Sequence, residues 1–480
     1  MTAALIFRTQ QLEQRLALYE SQRDSTPPVP SPPADVSSGS DMTMELFDFA
    51  ESSSFLVGPM EASTPLIIPD IPVDPLFDMD SLHPSVVMSR MLLPNPPLHF
   101  SDTSAIPMQN TFELRSTFLA HNVQLGLYLR DSKWKAVKEG DYSGRDVHPA
   151  LVHLAQLIGG TLWKMHNKSD PLIVQEDVEL QNVLRALEEP SDPSTQLLVY
   201  CLLAWYAFFI RNIEEANKYL VKGLQVILDH NLGLIMPGTE TILPMEEPDE
   251  DAKEQITAMS QLLYLDKAAT IVLNTPSVFD DNYDRQIKVL PLVQPWLSKH
   301  SVVLMRARSV YFLQQALRLS RIQWYSQYWD TLEEVSQHVS LLVPQMLKST
   351  LCADPRHGVS LKVCIMIALA AMVELHRLPA TYHAESRQKV VDVVMEIVGL
   401  TRGFKEEDFV LLDPILGTCW TVVATALCQE RQSFVEIAQM EPDAQWGEAF
   451  TIMITCASKL GTKLPYMGES LRAHLFLSRF

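Results

Sequence analysis

Prolines divide the 480-residue sequence into two regions of different composition. Fifteen of the 31 prolines lie in residues 25–110, together with eleven acidic side chains and a single basic one, Arg90. Proline lacks a backbone donor and stops helices, and like charges repel, so we expect this segment to be disordered or extended. From residue 111 to residue 480, apolar residues recur with helical periodicity, and strand-like alternation is rare. The sequence therefore predicts an acidic, proline-rich linker followed by an all-α region.

The helical region is predicted to be a superhelix of packed antiparallel helix pairs, partly like a TPR array. The clearest pair is a hairpin of two helices, 194–210 and 213–230, with a break at residues 211–212 and Gly233 as a left-handed cap. Glycine is scarce, at 17 of 480 residues, which also favours helix. Further helices are predicted near residues 302–324, 332–346, 360–375, 386–400, 413–427 and 449–459.

The first 24 residues show a short heptad pattern. Leu5, Leu12 and Tyr19 are seven residues apart, and Leu16 occupies the other seam position. Two heptads are too few for a stable coiled coil alone, because helix nucleation is costly. We interpret this segment as a dimerisation helix, and the alternative is an isolated helical leader. The predicted organisation is therefore a heptad helix at 1–24, a linker at 25–110 and a helical domain at 111–480.

The linker contains two patches in which acidic and hydrophobic residues alternate. Phe47 and Phe49 lie in the first patch, and Leu76 and Phe77 lie in the second. This alternation resembles transcriptional activation segments, in which acidic residues keep aromatic side chains solvated until a partner groove binds them. The alternative is a linker whose phenylalanine and leucine side chains pack against the helical region of the same chain.

The charge of the chain argues against direct binding to nucleic acid. The formal net charge is −20, from 38 basic and 58 acidic residues. Nucleic-acid affinity comes largely from Lys and Arg side chains that neutralise phosphates, and the sequence contains no run of them. We therefore expect no direct DNA binding by this chain alone, and no nuclear-localisation cluster is visible.

Apolar runs and cysteines predict a reducing environment and no membrane partner. The longest unbroken apolar run, 197–210, has 14 residues, so we expect a buried core helix there and no membrane-spanning helix. The amino terminus carries no signal-peptide core, which favours an intracellular protein. Four of the six cysteines sit in apolar helical patterns and are predicted to be reduced core thiols: Cys201, Cys364, Cys419 and Cys456.

Most motifs of the common enzyme classes are absent from the sequence, and the one that is present lacks its companion motif. There is no G-x-x-x-x-G-K-[ST], G-x-G-x-x-G or G-x-S-x-G motif. His148 and His153 are five residues apart, a poor fit for zinc ligands on one helix face. Asp280, Asp281 and Asp284 match the D-D-x-x-D pattern with which all-helical terpene cyclases bind magnesium, but no companion motif follows and the flanking prolines indicate an exposed loop. We predict no enzymatic activity and no cofactor or metal site in this chain.

Three parts of the helical region resemble one protein family. Residues 114–129 and 148–151 are similar to its "gFFL" and "HPALL" segments, residues 227–234 to its "A..LA..LGLH" element, and residues 265–277 to its "LDR..s..lG.P" signature. The family is the fungal-specific transcription factor regulatory domain, or middle homology region, of the fungal binuclear zinc-cluster transcription factors. The signature positions in this sequence are His148, Pro149, Gly233, Asp266 and Pro276. Lys267 stands where the family usually has arginine, and Asn274 where it often has glycine.

The resemblance implies a regulator of RNA polymerase II transcription that acts in the nucleus. It implies that the acidic linker contacts the transcriptional machinery and that the chain forms a homodimer, or a heterodimer with a zinc-cluster factor. The family's DNA-reading module holds two zinc ions with six closely spaced cysteines, and no cysteine precedes Cys201 here. Zinc is therefore expected only in a module outside this sequence. Two alternatives stay open: a longer product that contains the module, or a relative that naturally lacks zinc.

Two other classes of function remain as alternatives. The first is a TPR-like adaptor, unrelated to transcription, that carries peptides or partner proteins in a helical groove. The second is an all-helical enzyme similar to a terpene cyclase, and it depends on the three aspartates of the D-D-x-x-D pattern alone.

Overall fold

A computed structural model describes residues 108–143, 147–166, 176–234, 249–293, 301–322, 325–351, 355–410, 412–429 and 442–463. Every regular element within these ranges is helical, which confirms the predicted all-α fold class. The predictions for the heptad helix and for the linker up to residue 107 concern residues outside the described ranges.

Fifteen α-helices follow one another along the described ranges. They are α1 (Met108–Ala120), α2 (Asn122–Leu125), α3 (Asp131–Glu139), α4 (Pro149–His166), α5 (Glu176–Ala186), α6 (Pro193–Phe209), α7 (Ile213–Asp229), α8 (Glu250–Leu273), α9 (Asp281–Val293), α10 (Val302–Ile322), α11 (Tyr325–Leu351), α12 (Pro355–Arg377), α13 (Ala384–Arg402), α14 (Leu416–Gln429) and α15 (Pro442–Lys463). Two short 3₁₀ helices lie at Pro379–Thr381 and Glu406–Val410. All eight helices predicted by residue range are present.

Helices α6 and α7 form the predicted hairpin. The carboxylate of Asp192 accepts the backbone N–H of Thr195 at 2.8 Å and caps α6. Between the helices, Arg211 adopts a left-handed conformation with φ of 66°, and the Asn212 side chain accepts the backbone N–H of Glu215 at 3.3 Å. The predicted break therefore arises from a left-handed residue followed directly by an N-terminal cap.

The end of α7 differs from the prediction that Gly233 is the left-handed cap. Asn231 has the left-handed conformation, with φ of 50°, and Gly233 is not among the residues with positive φ. The backbone N–H of Leu232 donates to the carbonyl of Ile227 at 2.8 Å, the hydrogen bond expected when the residue before Leu232 is left-handed. Asparagine tolerates this conformation better than other residues with a Cβ atom, so the helix ends two residues earlier than a glycine cap requires.

Helix α12 is the central helix of the carboxyl-terminal half. It packs against α10, α11, α13 and α14 and also contacts α2. Residues Arg356–Arg377 are long and apolar enough to cross a membrane by length and composition alone, but 83 % of the apolar window is buried inside the fold. This helix was predicted at 360–375, but its longest unbroken apolar run spans only residues 363–373, between Lys362 and Glu374. Such burial is typical of a core helix.

The four cysteines predicted to be core thiols lie in the core, as expected. Cys201, Cys364, Cys419 and Cys456 are all buried and free. Burial raises the pKa of the Cys364 thiol to about 12, which leaves it protonated and unreactive at neutral pH.

Candidate functional site

The signature segment at 265–277 forms part of a buried charged cluster between α8 and α9. Asp266 is 1 % exposed, and its carboxylate accepts the backbone N–H of Val278 at 2.7 Å and the hydroxyl of Ser277 at 2.5 Å. Lys267 is 2 % exposed; its Nζ lies 2.8 Å from Oδ1 of Asp284 and donates to Ser277 Oγ at 3.2 Å. We call these five residues the α8–α9 charge cluster. It fixes the connection between the two helices.

In the α8–α9 charge cluster, burial and pairing shift the pKa values of the two carboxyl groups in opposite directions. Burial raises the pKa of Asp266, although hydrogen bonds from Ser277 and Val278 and the charge of Lys267 act in the opposite direction. Burial likewise raises the pKa of Asp284 against the charge of Lys267. Both carboxylates of the cluster therefore depend on their partners to remain charged.

The connection after α8 contains the other two positions of the segment. Asn274 is left-handed, with φ of 54°, where the family often has glycine, the residue that adopts this conformation most easily. Pro276 lies in the exposed connection that follows. Only part of the signature segment is therefore buried.

The prediction of an exposed acidic loop at Asp280–Asp284 is wrong. Helix α9 begins at Asp281, and the carboxylate of Asp280 accepts the backbone N–H of Asn282 at 2.9 Å, as an N-terminal cap does. Asp284 is buried and pairs with Lys267, whereas Asp280 and Asp281 are exposed. The three aspartates therefore do not converge on one point as cation ligands would.

His148 and Pro149 begin helix α4. Pro149 is its first residue, and Nδ1 of His148 accepts the backbone N–H of Ala150 at 3.3 Å. His153 lies one turn further on and pairs with Glu179 of α5 at 2.9 Å. Over the part of the chain that the structure describes, no three His, Cys, Asp or Glu side chains are grouped so that they could hold a metal ion.

A second polar cluster surrounds Arg306 of α10. Its guanidinium donates to Gln261 Oε1 at 2.5 Å and to the carbonyl of Gln124 at 2.9 Å, and lies 3.7 Å from Asp413 Oδ2. The same group stacks 4.4 Å from the ring centroid of Tyr264, whose hydroxyl also bonds to Asp413. This cluster connects α8 and α10 with the end of α2 and the residues before α14.

A third polar contact joins α8 to α3. Lys133 Nζ lies 2.6 Å from Glu254 Oε2, with both side chains buried. Glu254 Oε1 also accepts the backbone N–H of Arg130 at 2.7 Å, just before α3 begins. Helix α8 thus carries buried polar groups at three levels along its length. In the sequence, these buried polar groups are indicated by a 24-residue helical stretch in which charged residues are interspersed with apolar residues around the whole helix.

Helices α10 and α11 enclose a different kind of charged group. Arg308 is 7 % exposed, and among the described residues no hydrogen bond or ion pair involves its guanidinium. Its Cζ lies 5.3 Å from the ring centroid of Phe312. Beside it, the hydroxyl of Ser309 lies 2.8 Å from Nε2 of His338, a distance typical of a hydroxyl and its base, but Ser309 is fully buried. No motif in the sequence points to any of these four residues.

The remaining predicted site residues are not in the described part of the chain. They are the dimerisation residues Leu5, Leu12, Leu16 and Tyr19 and the activation residues Phe47, Phe49, Leu76 and Phe77. Their roles stay predictions.

No protein-family model, curated protein sequence or solved structure gives a significant match to the chain.

Proposed function

We propose that this chain is a non-enzymatic regulator of RNA polymerase II transcription of the fungal zinc-cluster type. The observation that carries the proposal is the α8–α9 charge cluster, which coincides with the segment similar to the family's "LDR..s..lG.P" signature. In that segment Asp266 and Lys267 are buried and paired, and the family's arginine at the second position would supply the same charge. Asn274 adds support, because it is left-handed where the family often has glycine.

The chemistry of the signature residues supports a scaffold function. Asp266 and Lys267 use their charges on neighbours within the fold, and His148 and Pro149 begin a helix. None of these roles needs a substrate. The helical domain, residues 111–480, then serves as a platform that controls the acidic segment.

In this proposal the amino-terminal residues connect the platform to transcription. Phe47, Phe49, Leu76 and Phe77 bind hydrophobic grooves of the transcriptional machinery, and the surrounding carboxylates keep them solvated until then. Contact with DNA comes from a zinc-bearing partner held through the heptad residues. The chain therefore acts in the nucleus as half of a dimer.

A reporter assay tests the activation step. The full chain is fused to a heterologous DNA-binding domain, and transcription is measured for the wild type and for a variant with Phe47, Phe49, Leu76 and Phe77 all changed to alanine. We expect activation by the wild type and a loss of several-fold in the variant. Phe55→Ala is the matched control, because Phe55 lies in the same linker but between the two acidic patches. A chain that does not activate, or a quadruple variant that activates as well as Phe55→Ala, contradicts the proposal.

A gel-shift assay tests how the chain reaches DNA. With duplexes that contain CGG half-sites, the lone chain should show only weak association that salt abolishes, because its net charge is −20. Tight, sequence-specific binding by the lone chain would contradict a dependence on a zinc-bearing partner.

A TPR-like adaptor is the second candidate, and one observation favours it. The hairpin of α6 and α7 exposes two large apolar side chains one above the other on α7, Val221 and Leu228. An adaptor would use such a face for a partner helix or peptide. It predicts a cytoplasmic protein that fails to activate the reporter, so the same assay separates the two candidates.

A further inference from the structure

Helix α11 has a long exposed side that carries large apolar residues. Its buried side packs against α10 and α12. On the exposed side, Trp329 is 48 % exposed, Leu341 45 % and Leu347 52 %. Monomeric proteins seldom expose several large apolar side chains along one helix face, so this side is suited to a partner. We call the following residues the outer face of α11: Trp329, Asp330, Leu341, Pro344, Leu347 and Lys348, all of them exposed.

The outer face of α11 is acidic at its beginning and basic at its end. Asp330 lies near the amino-terminal end of the helix, and Lys348 lies in its last turn. Among the described residues, neither side chain forms an ion pair. No acidic residue stands in the turn before Lys348, and the charged residues that follow Asp330 by one turn, Glu333 and Glu334, are acidic as well. An opposite charge for each end can therefore come from a partner.

The spacing of these residues makes the outer face of α11 complementary to itself. Asp330 and Lys348 are 18 positions apart, which is about five full helical turns, so they lie in line about 27 Å apart. Trp329 and Leu347 have the same spacing and form a second line beside the first. If two such helices face each other in opposite directions, a two-fold axis near the middle of the face brings each end against the other. Asp330 then meets Lys348 of the second copy and Trp329 meets its Leu347, and each contact occurs twice.

We propose that a second copy of this chain packs on the outer face of α11, antiparallel to it. The apolar residues supply the affinity, since an enclosed tryptophan contributes strongly to an interface. The charges set the direction, because a parallel pair would place Asp330 on Asp330 and Lys348 on Lys348. One helix pair is at the low end of interface size, so the dissociation constant should be about 1–100 µM. The proposal does not rest on the proposed function, in which the heptad residues bind a different, zinc-bearing partner.

Sedimentation equilibrium of the full chain measures the association. Every protein carries Leu12→Arg, so that the heptad residues do not hold two copies together. This parent chain should form a monomer–dimer equilibrium, and Trp329→Ala should raise its dissociation constant by about 10-fold or more. Leu347→Ala should raise it by a smaller factor. Leu228→Ala is the matched control, because it removes a leucine that is equally exposed but lies on α7, and it should leave the dissociation constant unchanged.

Exchange of the two charges tests the antiparallel direction. Asp330→Lys and Lys348→Asp each replace two attractive pairs by two repulsive ones, so each should weaken the dimer by about 10-fold. The double variant restores both pairs and should regain the dissociation constant of the parent. An equimolar mixture of the two single variants should also dimerise like the parent, because each copy supplies the charge that the other needs. Lys135→Asp makes the same charge change at an exposed position of α3 and is the control.

Several results would overturn the proposal. One is a parent chain that is still a monomer at about 300 µM, well above the expected dissociation constant. Another is a Trp329→Ala protein that associates as tightly as Leu228→Ala. A double charge variant as weak as the single variants would reject antiparallel pairing. A loss in Lys135→Asp as large as in Lys348→Asp would show that net charge, and not the outer face of α11, controls the association.

Discussion

Lys267 and Arg308 are both buried cations, yet their surroundings are opposite. Lys267 lies 2.8 Å from the carboxylate of Asp284 and donates to Ser277, within a cluster whose carboxylates balance its charge. Arg308 contacts the face of Phe312 and has no hydrogen bond or ion pair among the described residues. One fold therefore contains two kinds of buried charge. A paired charge stabilises the connection that it joins, whereas an unpaired one carries the cost of burial without that gain.

The two cations therefore respond differently to removal. Taking away one partner of a buried pair strands the other charge and costs more than the pair itself contributes. Taking away an unpaired buried charge strands nothing. We therefore compare the free energy of unfolding after each cation is replaced by methionine, which has a similar length and no charge.

The largest effect is expected for Lys267→Met. The carboxylates of Asp266 and Asp284 lose their buried counter-ion, so the free energy of unfolding should fall by about 3–5 kcal/mol. Urea unfolding of the full chain measures the loss. Lys218→Met, at an exposed ion pair on α7, is the control and should leave the unfolding free energy unchanged. A Lys267→Met protein as stable as this control would show that Lys267 does not balance the two buried carboxylates.

A smaller loss is expected for Asp284→Asn. The amide oxygen keeps a polar atom facing Nζ of Lys267, but the opposite charge at 2.8 Å is gone. Loss of one charge-assisted bond lowers the unfolding free energy by about 2 kcal/mol. Urea unfolding again gives the value, and Asp281→Asn, at an exposed position of the same helix turn, is the matched control. If the two aspartates gave equal losses, pairing with Lys267 would not be the reason.

Arg308→Met should change stability least. The substitution removes a charge that forms no hydrogen bond or ion pair among the described residues and leaves an apolar side chain of similar length, so the unfolding free energy should change by less than about 1 kcal/mol and can rise. The measurement is the same urea titration in chloride buffer. A loss as large as that of Lys267→Met would mean that Arg308 has a stabilising partner within the fold.

The smallest expected effect concerns the pH dependence of the unfolding free energy. Burial, followed by the charge of Arg308, lowers the pKa of His338 well below its ordinary value of 6.5. The unfolded chain therefore binds this proton first, and stability is lost as the pH falls below about 6.5. In Arg308→Met the folded pKa of His338 rises, so less stability should be lost over this range.

His376 provides the internal reference for that measurement. Its pKa is lowered to about 4 by burial and by Lys389 and His383, without a contribution from Arg308. The stability lost between pH 6.5 and 4 through His376 should thus persist in both proteins. Urea unfolding at several pH values compares them. Identical pH profiles for the wild type and Arg308→Met would show that Arg308 does not act on His338.

Helices were predictable from the sequence because their signals are local. The hairpin of α6 and α7 follows from apolar periodicity with caps at Asp192 and Asn212, all within adjacent turns. Where local signals compete, the prediction failed. Asn231 and Gly233 can both end a helix, and Asp280 looks like a loop residue although it caps α9.

The buried polar groups were only partly predictable. Asp266 was found because it belongs to a recognisable segment, and its partners Ser277 and Val278 lie only 11 and 12 residues away. The buried contacts of Arg306 were not predicted. Its partners Gln124 and Asp413 are separated from it by more than 100 residues, and no pattern near Arg306 in the sequence indicates them. The environment of Arg308 likewise depends on α11 packing beside α10, which periodicity alone does not specify.

The most direct test of the proposed function is chromatin immunoprecipitation of the tagged full chain, expressed from its own locus. The account predicts a nuclear protein enriched at a set of promoters, and Leu12→Arg in the heptad segment should remove this enrichment without removing the protein. A chain that stays in the cytoplasm and enriches no promoter would contradict the account. That result would favour the helical adaptor instead.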